Sequence, residues 1–147
     1  MAIAEPMKLD LLFKTDETAW LEVMSVLAAE GRFGEMDCRN LSEYLADMAK
    51  RDRREVFSRL VVLLTHKLKS AHQPDRQGGS RRATIREQRR ELRQLLESLT
   101  LRNHALAVLG DANSEARRQA ADESELDQGV FPIENLWELD AILGEHE

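Results

Sequence analysis

The sequence predicts an all-α chain: a single-domain helical bundle of four main helices with a short C-terminal helix. Three observations lead there. Apolar residues recur at steps of three and four and almost never alternate, which is helical periodicity. Only 7 Gly and 3 Pro are spread over 147 residues, so long runs go unbroken. Short polar residues followed three positions later by Glu stand ahead of apolar runs, the pattern in which two side chains satisfy the free amides of a helix start. With 42% apolar and 33% charged residues, the chain is too apolar for disorder and long enough to bury a core.

A flexible N-terminal tail is expected over 1–14, the helical bundle over 15–143 and a C-terminal tail over 144–147. Asp16 has the side chain of an N-cap for a first helix running to Glu30, with Gly31 as its stop and Trp20, Val23, Met24 and Leu27 on the inner face. Asn40-Leu41-Ser42-Glu43 has capping-box form and opens a second helix. Its stripe reads Leu41, Tyr44, Leu45, Met48 and Ala49, breaks over 50–55, and resumes at Val56, Leu60, Leu63, Leu64 and Leu68. One helix over 41–71 would reach about 46 Å at ~1.5 Å per residue. A compact domain of this length is only about 38 Å across. The body is therefore elongated, or the helix bends in the charged gap, or a second subunit covers the excess.

Residues 74–82 read as a loop with Gly78-Gly79 at its tip, the segment expected to move most. Thr84-Ile85-Arg86-Glu87 is a second capping box, starting a third helix through Leu99 that buries Ile85, Leu92, Leu95, Leu96 and Leu99. Thr100 caps a fourth helix with Ala105, Leu109, Ala112, Ala116 and Ala120 on one face, where small side chains admit a close neighbour; Gly110 is a candidate break. A loop closes at Phe131-Pro132, and residues 134–143 read as a short acidic amphipathic helix with Trp137, docking as a lid.

Charge is segregated along the chain. Residues 1–49 carry four basic and ten acidic side chains, 50–102 carry fifteen and six, and 103–147 carry two and eleven, within a net of −6. Either the acidic ends cover the basic middle or part of that middle meets an anionic partner. The basic stretch contains the set Arg82, Arg86, Arg89, Arg90 and Arg93, whose i, i+4 and i+7 steps align much of it along one ridge. A basic ridge is the footprint of phosphate binding. Against nucleic acid, residues 58–130 hold no Phe, Tyr or Trp for stacking, and Glu87 and Glu91 interrupt the ridge.

Catalytic and metal signatures are sparse. His66 lies three residues before Lys69 and four before Ser70, but a Ser-His pair without an orienting carboxylate and an oxyanion hole is no catalytic dyad. No His-x-x-x-His or Glu-x-x-His spacing occurs, so neither a metal nor a cofactor is expected. Cys38 has no second cysteine to pair with, which fits a reducing cytoplasm. Gly78-Gly79-Ser80 lacks the Gly-Lys-Ser/Thr of a phosphate loop. No apolar run approaches the ~20 residues of a membrane span.

Several segments in order carry a family resemblance: Asp16-Glu17-Thr18-Ala19-Trp20, Gly31-Arg32-Phe33, Asp37, Asn40-Leu41, Ser58-Arg59-Leu60, His66-Lys67-Leu68-Lys69, Thr84-Ile85-Arg86-Glu87-Gln88-Arg89 and Phe131-Pro132. Together they resemble the bacterial family called domain of unknown function twenty-nine, over about residues 15–143. The resemblance implies an all-helical, cytoplasmic bacterial protein with no assigned activity. The chain departs from that pattern at Arg81, where a tryptophan is common, and at Asn113, where an aromatic is common. His66 and Lys69 fall on the family motif, and with Arg86 and Arg89 they could form a polar cluster with Asp37 or Glu43.

The function expected from these readings is a non-catalytic protein-interaction or scaffold module, as a homodimer through the second helix or with another protein. The first alternative is anion or nucleic-acid binding through the arginine ridge of the third helix. The second is an enzyme centred on His66 and Lys69. The candidate binding residues are accordingly His66, Lys69, Arg82, Arg86, Arg89, Arg90 and Arg93.

Overall fold

A computed structural model describes residues 6–72, 78–133 and 137–144. Among them every regular element is helical. There are six α-helices, α1 (Pro6–Thr15), α2 (Glu17–Ala29), α3 (Cys38–His72), α4 (Gly79–Leu95), α5 (Leu99–Ser124) and α6 (Leu139–Leu143), with short 3-10 turns at Phe33–Glu35 and Gln128–Val130. Five are seven residues or longer, against the four main helices expected. The chain forms two compact units that divide between Ala49 and Lys50, inside α3. The apolar stripe of that helix breaks at the same place, over 50–55, and the buried apolar side chains accordingly gather in two clusters.

In the first unit, the stretch read as a tail is helical from Pro6, and Leu9 is buried. The Asp16 carboxylate accepts from the Ala19 amide at 3.1 Å, capping α2 as expected. Gly31 takes φ +70°, the left-handed conformation that stops a helix and that a side chain would oppose. Trp20 is fully buried, edge-on to Phe13 at 4.7 Å and tilted against Tyr44 at 6.0 Å. Its indole N–H donates to Asp37 Oδ2 at 3.1 Å.

Asp37 also corrects the expected start of α3. Its Oδ1 accepts from the Asn40 amide at 3.3 Å, so the helix begins at Cys38, ahead of the Asn40 box. Asn40 is free to turn inward. It is buried, and its Nδ2 donates to Asp37 Oδ2 at 2.7 Å and to Asp10 Oδ1 at 2.9 Å. The Asn40 amide, then the Lys14 ammonium, hold the Asp10 carboxyl below its ordinary pKa.

The second unit holds the remainder of α3 with α4, α5 and α6. Val56, Leu60, Leu63, Leu64 and Leu68 of α3 are buried with Leu92 of α4, Leu96 at its C-cap, and Ala105, Ala112, Ala116 and Ala120 of α5. Fully burying a Leu side chain contributes roughly 1.5–3 kcal/mol, so this cluster dominates the unit. Three expected boundaries move. Helix α4 starts at Gly79 rather than at Thr84, whose hydroxyl instead bonds back to the Ser80 carbonyl at 3.0 Å in mid-helix. The loop expected over 74–82 is thus helical from Gly79, while 73–77 lie outside the described residues. Ser98, not Thr100, caps α5, accepting from the Leu101 amide at 3.3 Å, and Leu99, expected in the core, is 71% exposed in its first turn. Gly110 does not break α5.

Beyond α5, Arg117 donates to the carbonyls of Phe131 and Gln128, both at 3.1 Å, and fixes the turn that places Phe131 in the core. Of the acidic helix expected over 134–143, Leu139–Leu143 forms α6, with Glu138 extended at its N-cap; residues 134–136 lie outside the described residues.

Candidate functional site

The site begins with the period of α4. At 3.6 residues per turn, Arg82, Arg86, Arg89 and Arg93 fall within about 60° of arc, one line along the helix, whereas Arg90 lies off it. That line forms one wall of a groove of about 530 Å³. Lys67, Ser70 and Ala71, from the last turns of α3, form a facing wall, and Arg81, Ile85 and Trp137 complete it. The groove thus brings six cations together, and among the described residues that line it there is no carboxylate.

The cations differ in what holds them. Arg89 Nε donates to the Ile142 carbonyl at 3.0 Å, and Arg93 Nη2 donates to the carbonyls of Leu143 and Gly144. Gly144, at φ +66°, brings the backbone so close that a Cβ there would sit 3.1 Å from the Arg89 guanidinium. The Lys67 ammonium stands 4.9 Å from the centroid of the Trp137 ring, a cation–π contact. Arg81 Nη1 is buried with no hydrogen-bond partner among the described residues. Arg82 and Arg86 are exposed.

Of the residues singled out from the sequence, Arg82, Arg86, Arg89 and Arg93 meet in the groove. Arg90 does not, and its guanidinium lies 3.3 Å from the neighbouring Glu91. His66 and Lys69 are also outside the lining. Lys69 is paired with Glu123 of α5, Nζ to Oε2 2.8 Å. His66 is half-buried, its Nδ1 has no partner among the described residues, and its pKa lies below the ordinary value, first through burial and then through Lys69 and Arg81. Asp37, expected as a partner for this cluster, has its carboxylate engaged by Trp20 and Asn40. Among the described residues no group of three His, Cys, Asp or Glu side chains is placed to hold a metal ion. No described helix is long and apolar enough to cross a membrane.

Sequence reasoning missed Lys67, Arg81 and Trp137 as site residues. Lys67 precedes Ser70 and Ala71 by three and four positions, so it shares a face with them. That spacing was legible, but only the position of α4 shows that the face is a wall.

The family model described as domain of unknown function DUF29 matches residues 12–146. The chain belongs to the DUF29 family. No curated protein and no solved structure gives a significant match. In this DUF29 chain the two positions expected to depart from the family pattern have different surroundings. Arg81 lines the groove. Asn113 is buried within α5, its Nδ2 3.4 Å from the Ile133 carbonyl and its Oδ1 without a partner among the described residues. Charge segregation resolves in parts: Lys69 pairs with Glu123 and Arg102 with Asp140, so the acidic final third covers some of the basic middle.

Proposed function

We propose that this protein binds an anion bearing several phosphate groups in the groove between α3 and α4. The observation that carries the reading is the convergence of Arg82, Arg86, Arg89 and Arg93 with Lys67 and Arg81 on one concavity with no carboxylate among its described lining residues. Guanidinium groups suit this work, since each offers a planar fork of donors matched to phosphate oxygens. An unpaired donor such as Arg81 Nη1 also favours a ligand that supplies an acceptor.

Calorimetric titration with inorganic tripolyphosphate tests the reading. Binding is expected at low ionic strength, weakening as salt rises. An Arg82→Glu, Arg86→Glu double variant is expected to weaken it at least tenfold. No heat of binding at low salt would refute the proposal.

Other readings have less behind them. A homodimer through the second helix would use the α3 stripe, yet Val56, Leu60, Leu63, Leu64 and Leu68 are enclosed by this chain's own core. A scaffold role would instead fall to exposed positions such as Leu99 and Leu106 of α5. A reaction centre at His66 gains nothing from Lys69, whose ammonium is engaged by Glu123.

A further inference from the structure

We infer that the groove takes a single-stranded nucleic acid segment of two or three nucleotides, its phosphates on the α4 arginines and a base against Trp137. This rests on the anion-binding reading above and narrows it. The arginines form a track rather than a point cluster: Arg82 and Arg86 lie about 6 Å apart along the helix at ~1.5 Å per residue, and Arg89 and Arg93, whose guanidinium groups also donate to the carbonyls of Ile142, Leu143 and Gly144, extend the line to roughly 16 Å. A line of cations suits a chain of phosphates better than one compact group. The same groove is walled by the Trp137 indole, over whose ring the Lys67 ammonium stands at 4.9 Å; a base that takes that place turns Lys67 toward a phosphate, and a cationic channel beside an aromatic platform is the pairing by which proteins hold unpaired strands. The glycines at the start of α4 are not followed by the lysine and hydroxyl of a nucleotide-triphosphate loop, so the groove does not hold phosphates in that way.

The test uses the full chain and fluorescence anisotropy of a labelled 12-mer of oligo-dT at low salt. Unlabelled long-chain inorganic polyphosphate and a 12-base-pair duplex serve as competitors. Oligo-dT is expected to bind at least tenfold more tightly than the duplex or the base-free polyphosphate at equal charge. Trp137→Leu should weaken oligo-dT about tenfold more than it weakens polyphosphate, while Trp137→Phe restores most of the loss. If Trp137→Leu fails to fold by circular dichroism, the tryptophan emission decides: oligo-dT should quench it in the native chain, with that quench reduced in Trp137→Phe, and polyphosphate should not. Polyphosphate binding with oligo-dT no tighter, or insensitive to residue 137, overturns this inference and leaves the anion site standing. Equal binding of the duplex also overturns it. Binding of neither polymer removes both.

Discussion

The Nε of Arg89 donates to the carbonyl oxygen of Ile142 at 3.0 Å, so an arginine of the groove also holds the closing turn of α6. A five-residue helix leaves its last carbonyls without partners of its own. Arg93 continues the arrangement at Leu143 and Gly144. The row on α4 therefore serves two ends: its C-terminal half ties down α6, and its N-terminal half, Arg82 and Arg86, bonds to nothing among the described residues.

That division makes stability and binding separable. Arg93→Ala is expected to cost about 1–3 kcal/mol in urea unfolding, the usual loss for charged donors to buried carbonyls. Arg86→Ala should stay within about 0.5 kcal/mol of the native chain, as exposed substitutions do, yet weaken tripolyphosphate. Equal destabilisation by both would show that the two halves of the row are not distinct.

Asp37 joins three roles in the first unit: cap of α3, acceptor for the Trp20 indole and acceptor for Asn40. Losing a cap costs about 0.5–2 kcal/mol, and stranding a buried donor about 1–3 more. Asp37→Ala should therefore lose roughly 2–4 kcal/mol, and Asp37→Asn less, since an amide oxygen can still accept. Thermal melts of the two variants, with Trp20 emission as the probe, make the comparison. A loss below about 1 kcal/mol for Asp37→Ala would mean that the indole finds another partner.

Two glycine substitutions should act in opposite directions. Gly110 is interior to α5 and nothing lies within 4 Å of an added Cβ, so Gly110→Ala should stabilise by up to about 1 kcal/mol. Gly144 holds φ +66° with the Arg89 and Arg93 guanidinium groups against it, so Gly144→Ala should destabilise by about 1–2 kcal/mol. Denaturation midpoints of the same sign for both would contradict the argument.

How far the sequence could be read depends on the range of the interaction involved. Asp16 and Gly31 bound α2 through contacts a few residues long, and both were legible from residue type alone. Capping boxes were less secure, because Asp37 and Ser98 also carry acceptor side chains and stand nearer the true starts than Asn40 and Thr100. The alanine face of α5 was legible as burial, since spacing fixes a face. The arginine line was legible for the same reason. What spacing cannot supply is the opposite wall: Lys67 lies fifteen positions before Arg82, Trp137 lies far beyond it, and only tertiary packing puts them beside one helix. The pairing of Lys69 with Glu123, which takes the ammonium from His66, is likewise a contact between α3 and α5.

His66 supplies a pH dependence whose sign follows from its surroundings. Burial, Lys69 on its own helix and Arg81 on α4 all disfavour the imidazolium, and Glu123 on α5 opposes them only in part. The folded chain therefore takes up this proton at lower pH than the unfolded chain, whose histidine titrates near 6.5. Below that value the unfolded state holds more protons, so stability is intact above about pH 6.5 and declines as pH falls toward the depressed folded pKa. His66→Gln removes the titrating group and should flatten the stability profile between about pH 6.5 and 5.5, above the range where carboxylates dominate. Urea midpoints across that interval measure the slope. A His66→Gln slope as steep as that of the native chain would assign the acid sensitivity to other groups.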